Sequence, residues 1–223
     1  YLTMMTFPRA SRSMILLVAV VLAGCAGNPP PRYSGVSSAS QMTVNTGKDA
    51  DKIPYHFVTR TDWKKYRNII IDPVTVYQGT DNQFGDLSQS DRQDLARYMQ
   101  NKFAETLRER FVETTEATPG TLRLKLTLTG AATTTQVVGT VTKFDLAGGP
   151  YNIVQSIRGG RGMFSGSVNY AAEIYDASTN QLLGSYITHQ YPNAMNIGAT
   201  FGSMSAAETG IDKGADQLLE LLK

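Results

Sequence analysis

Leu122, Leu124, Leu126 and Leu128 alternate with Arg123, Lys125, Thr127 and Thr129. Successive side chains of a strand point to opposite faces, so this period of two dictates a strand with one dry and one wet face. Such a strand needs an apolar layer over its leucines, and the chain supplies one just upstream. Leu95, Tyr98, Met99, Phe103, Leu107 and Phe111 recur at three- and four-residue spacing, which predicts an amphipathic helix running to about Glu113. Ser90 with Gln93 reads as its capping box, and Asp91 and Asp94 suit its positive end. Pro119-Gly120 then breaks the chain before the leucine strand.

The flanking segments extend this strand and helix into a sheet. Asn68 to Gln78 is rich in β-branched residues and reads as a strand, at an edge or bulged at Pro73, whose nitrogen cannot donate. Strand, helix and strand in that order predict a crossover with parallel strands. Ser167 to Tyr175 and Leu182 to Tyr191 flank the polar turn Asp176 to Asn180 and should pair as a hairpin. Ser205 with Glu208 reads as a capping box opening a last helix to Leu222, with Ile211, Ala215, Leu218, Leu219 and Leu222 on one face. Gly210 and Gly214 inside it read as points of close packing onto the sheet. The fold class is therefore α+β: a mixed sheet of at least four strands, with two amphipathic helices on one face. Ala131 to Gly166, punctuated by Gly148-Gly149-Pro150 and Gly159-Gly160-Arg161-Gly162, gives no clear period.

The beginning of the chain has a different character. Arg9 and Arg12 precede an uncharged run from Met14 to Leu22, which ends in Leu22-Ala23-Gly24-Cys25. The run is far shorter than the roughly 20 residues that span a bilayer as a helix. A basic start, a short apolar centre and small residues before a cut are the anatomy of a secretion signal. Leu22, Ala23, Gly24 and Cys25 resemble the lipobox of bacterial lipoproteins. The resemblance implies cleavage before Cys25, acyl chains on its thiol and new amino terminus, and attachment to a membrane through them. Ala26 and Gly27 follow instead of the Asp associated with inner-membrane retention, so it further implies an outer-membrane anchor facing the periplasm.

Three segments follow from this reading: a signal peptide over 1–24, a lipidated Cys25 with a disordered linker over 25–52, and a single periplasmic α+β domain over 53–223. From Ala26 to about Lys52 the composition turns to Gly, Asn, Pro, Ser and Thr without an apolar period. A coil of that length reaches on the order of 25–30 Å. Removing the signal also removes two of the 21 basic residues and none of the 19 acidic ones, leaving a neutral mature chain. Such a chain has no global basic field for nucleic acid.

Trp63-Lys-Lys-Tyr66, Ile69-Ile-Ile-Asp-Pro-Val74, Val168-Asn-Tyr-Ala-Ala-Glu-Ile-Tyr-Asp176 and Leu182-Leu-Gly184 resemble, in that order, an uncharacterised bacterial envelope lipoprotein family defined by a domain of unknown function. The resemblance spans roughly residues 55–222 and implies an envelope location without an assigned reaction. The element order is also similar to small periplasmic α/β modules that assemble with envelope machinery.

Candidate chemistry is sparse. One cysteine excludes a disulfide framework within the chain and any multi-thiolate metal site. His56 and His189 are the only neutral-range bases. A glycan-cleaving site needs two carboxylates about 5–10 Å apart across a cleft. Asp72, Asp86, Glu173 and Asp176 are the acids near strands and loops, but Asp72 suits a bulge and Asp176 a turn. No catalytic residue, metal site or cofactor is assigned. Trp63, Lys64 and Lys65, with Arg158 and Arg161 of the glycine-rich stretch, are the candidate partner contacts. The expectation is a membrane-anchored, non-catalytic domain binding an envelope protein or peptidoglycan. The alternatives are a peptidoglycan-active enzyme and an auxiliary subunit of an envelope transport or secretion complex.

Overall fold

The computed structural model describes residues 30–132, 166–191 and 204–223. Among these described residues eight strands form one mixed sheet: β1 (Thr43–Val44), β2 (Tyr55–Val58), β3 (Asn68–Ile71), β4 (Thr75–Val76), β5 (Val112–Glu113), β6 (Thr121–Ala132), β7 (Ser167–Asp176) and β8 (Leu182–Gln190). The order across it is β1-β2-β8-β7-β6-β3-β5, with β4 continuing alongside β6 past the end of β3. Among the described residues two helices, α1 (Gln89–Leu107) and α2 (Ser205–Leu221), join the sheet in an α+β architecture.

β6 shows the alternation that its leucines dictate as far as Leu128: Leu122, Leu124, Leu126 and Leu128 are buried and Arg123, Lys125 and Thr127 half-buried, but Thr129, expected on the wet face, is buried where the register shifts before Gly130. β3 and β4 both run parallel to β6, as expected of strands joined through a helix. The strand expected over Asn68–Gln78 is interrupted at Asp72-Pro73-Val74. Asp72 still donates its amide to Leu124 and Tyr77 donates to Leu128. Between them Pro73 has no donor, and the Val74 amide turns to Gln100 Oε1 of α1 at 2.7 Å.

Helix α1 begins earlier than expected. Its cap is Ser88, whose hydroxyl accepts from the Asp91 amide at 3.1 Å, and Ser90 lies inside the first turn. It also ends earlier, at Leu107. Phe111 is buried only after a turn that lets the next residues form β5 at the sheet edge, parallel to β3. In α2 the expected box is replaced by Met204 at the cap position, without a side-chain cap bond. The hairpin β7–β8 forms as expected, closed by Asp176 Oδ1 accepting from the Ser178 and Thr179 amides.

Both helices cover the leucine face. Phe103 of α1 meets Tyr170 of β7 edge-on with ring centroids 5.7 Å apart, and Gly210 and Gly214 of α2 approach Val168 and Tyr170.

The opposite face corrects the reading of residues 30–52 as a disordered linker. Tyr33, Val36, Ala39 and Met42 are buried there against Tyr77, Ala171 and Ile187. The segment is short on apolar residues, but Tyr33, Val36 and Ala39 recur every three residues along successive turns and share the buried side. It therefore acts as a strap that covers the second sheet face, and the folded unit begins at least twenty residues before the expected boundary at residue 53.

Candidate functional site

Along β2, alternate residues point to opposite faces, and His56 and Val58 lie on the helix face, opposite Tyr186 and Gly184 of β8. The last turn of α2 carries Leu221 past this edge, and Trp63 stands on the one-turn 3₁₀ segment Trp63–Lys65. Together with Ile174 and Tyr186 these side chains line an open groove of about 530 Å³. Its walls are mainly apolar, and Asp49, Lys52, His56, Gln217 and Glu220 supply the polar members of its lining.

Two of the groove residues are large hydrophobics left in solvent: Val58 is 72% exposed and Leu221 51%. Exposed apolar groups that share one concavity mark an interaction surface more often than scattered ones do.

The groove is firmly built. Asp62 caps the 3₁₀ segment by accepting from the Lys64 amide at 3.2 Å. Arg110 donates to the Trp63 carbonyl at 2.9 Å, and burial lowers the pKa of its guanidinium. Tyr66 donates to Asp176 Oδ2 at 2.9 Å, and burial, followed by that carboxylate, pushes its phenol up to about 12. The turn is thereby tied to the β7–β8 hairpin.

Of the expected partner contacts, Trp63 lines the groove, while Lys64 and Lys65 are exposed on the adjoining turn. Arg158 and Arg161 lie outside the described residues, as do Leu22, Ala23, Gly24 and Cys25. Val58 and Leu221 were not among the sequence candidates. Val58 ends a four-residue strand and Leu221 sits off the buried stripe of α2, and neither position is marked by local pattern.

The two histidines are apart in role. His56 lines the groove, whereas His189 pairs through Nδ1 with Asn169 Oδ1 and packs on Tyr191 with ring centroids 5.4 Å apart.

The four acids do not form one set. Asp86 is exposed ahead of α1, and Asp176 holds the hairpin turn. Asp72 and Glu173 line a second cleft on the strap side of the sheet. Asp72 faces Arg123 at 3.7 Å. Glu173, only 3% exposed, accepts from the Ser38 amide at 2.7 Å and the Tyr175 hydroxyl at 3.3 Å. Each therefore already has a donor or a cation beside it. Among the described residues no group of three or more His, Cys, Asp or Glu is placed to hold a metal, and no helix is long and apolar enough to cross a membrane.

Residues 32–218 match a family described as "Protein of unknown function (DUF3313)". No curated protein matches the chain. Among solved structures it is similar to the PelC dodecamer from Paraburkholderia phytofirmans. That match has 14% identity and a TM-score of 0.38, and covers 70% of this chain and 89% of that one. It is also similar to the hypothetical protein CT253 from Chlamydia trachomatis, at 10% identity, TM-score 0.36, and 70% and 93% coverage. Likeness at this level carries no functional reading. The family match begins within the strap, one residue before buried Tyr33.

Proposed function

The chain belongs to the DUF3313 family of proteins of unknown function, and from that premise we propose that it is an outer-membrane-anchored lipoprotein whose non-catalytic periplasmic domain binds another component of the cell envelope. The anchor rests on Leu22-Ala23-Gly24-Cys25 behind a basic start and a short apolar run. Two or more acyl chains on Cys25 give stable attachment where one does not.

The observation that carries the binding role is the groove between β2, β8 and the end of α2, where Val58, Leu221 and Trp63 present apolar surface in one concavity. The partner it fits is an envelope protein that places an apolar side chain between Val58 and Leu221. The strap adds a constraint on geometry. Tyr33 is packed in the domain only eight positions after Cys25. Eight residues span at most about 26–29 Å, even fully extended. The anchored domain therefore works close to the membrane surface, within reach of partners embedded in it.

The test is photocrosslinking in intact cells. A photoreactive residue at position 58 or 221 should give one discrete adduct with an envelope protein, and the same residue at exposed Ser178 should give none. A groove without adducts, or adducts equal to those at Ser178, would refute the proposed binding surface.

A further inference from the structure

On the strap side of the sheet, facing away from the groove, β4, β6, β7 and the strap enclose the cleft of about 910 Å³ that holds Asp72 and Glu173. Its floor is the wet face of β6 and the matching face of β7. Lys125 and Glu173 are directly opposed cross-strand neighbours in this floor. Groups of opposite charge so placed have Cβ atoms only about 4.5–5.5 Å apart and ordinarily close into an ion pair. Here they do not. Lys125 Nζ lies over the Tyr175 ring, 5.1 Å from its centroid, and forms no ion pair with Glu173. The Glu173 bonds to Ser38 and Tyr175 both use Oε1, so among the described residues Oε2 has no hydrogen-bond donor.

Glu173 lines the cleft, so a donor that enters it can meet this second oxygen. Its neighbourhood repeats the pattern. Among the described residues the Ser38 and Ser185 hydroxyls, on the strap and on β8, are buried without hydrogen-bond partners, while Arg123 Nε faces Asp72 at 3.7 Å. Among the described residues the cleft thus presents an ammonium without an ion-pair partner beside a carboxylate with one oxygen unbonded.

We infer that this cleft binds a zwitterion, an α-ammonium with its carboxylate, carried either by a free amino acid or by the ends of a short peptide. Lys125 takes the ligand carboxylate and Glu173 Oε2 takes its ammonium. A polyanion or a polycation is disfavoured, because the floor carries both signs at adjacent positions. The cleft is separate from the groove assigned to a protein partner, and the inference stands without the lipid anchor.

The experiment is calorimetric titration of the full chain in detergent with four probes: alanine, alanyl-alanine, N-acetylalanine and alaninamide. The two zwitterions should bind saturably. The acetylated compound, lacking the ammonium, and the amide, lacking the carboxylate, should bind at least tenfold more weakly. A tighter alanine marks a free amino acid as the ligand, and a tighter alanyl-alanine marks a peptide. Lys125→Met, at a half-buried position outside both cores, should weaken zwitterion binding at least tenfold. Glu173→Gln should do the same, with circular dichroism checking that the strap stays folded. The inference is overturned if no probe binds the folded protein, if blocked and zwitterionic probes bind alike, or if Lys125→Met binds as the unaltered chain does.

Discussion

Gly214 of α2 rests on the Tyr170 hydroxyl so closely that a Cβ built on the glycine would stand 2.0 Å from the phenolic oxygen. Tyr170 is fully buried between Phe103 and Tyr186, so it has nowhere to retreat. The glycine is what allows a helix to lie on a sheet at a tyrosine.

Gly214→Ala should therefore destabilise the protein. The helix gains about 1 kcal/mol in propensity, but overpacking a core of this kind costs about 1–3 kcal/mol, and at this separation the upper end applies. The net loss of about 1–2 kcal/mol is to be read as a lower urea midpoint. An unchanged or raised midpoint would show that the helix shifts freely.

Tyr33→Ala should cost about 3 kcal/mol, the usual toll for deleting a large buried aromatic. The side chain is 1% exposed, packs edge-on against Tyr77 and donates to Gln83 Oε1 at 2.8 Å. A segment that served only as a flexible linker would lose nothing on this substitution, so urea denaturation distinguishes strap from tether.

Gln100→Leu removes the acceptor of the Val74 amide at the break between β3 and β4. A fully buried donor left without a partner costs about 1–3 kcal/mol, and this half-buried one should cost about 1 kcal/mol. Protection of that amide against hydrogen exchange should drop while the amides of β6 keep theirs. Equal protection in both proteins would mean that the break is held by something else.

Acid should loosen the strap. Asp81 accepts from the Tyr77 hydroxyl at 2.7 Å and from the Ser34 amide at 3.2 Å, and these bonds, Tyr77 first, hold its carboxyl below the usual range. A carboxyl depressed on folding contributes stability at pH above its unfolded value of about 3.9. That contribution is lost as pH falls through the lower folded value. Stability should thus decline below about pH 4, and Asp81→Asn should flatten that part of the profile. An Asp81→Asn profile that follows the unaltered protein's would remove Asp81 from the account.

The elements legible in the sequence were those whose apolar period is long. The leucines of β6, the stripe of α1 and the paired runs of β7 and β8 each repeat over enough residues for a single burial pattern to dominate. The strap escaped because four buried residues, Tyr33, Val36, Ala39 and Met42, are scattered among Ser, Gly and Thr, and its partners Ala171 and Ile187 are distant in sequence. The same distance hid the groove: Val58, Trp63 and Leu221 meet only through the sheet order β2-β8-β7. Glu173 looked like one acid among several, since its unused oxygen depends on Ser38, which approaches from the other end of the chain. Short-range signals also misplaced both caps. Ser90 and Ser205 offer the right side chain, but the caps are Ser88 and Met204, and both serines fall inside the first turn.

The anchor on Cys25 is the premise on which the cellular role depends, and the intact mass of the protein extracted from the membranes of cells that make it tests that premise most directly. The account predicts a chain beginning at Cys25 and carrying at least two fatty acyl chains, and a Cys25→Ser variant that keeps its leader and gains no lipid. A native mass showing residues 1–24 in place and no acyl groups would contradict it.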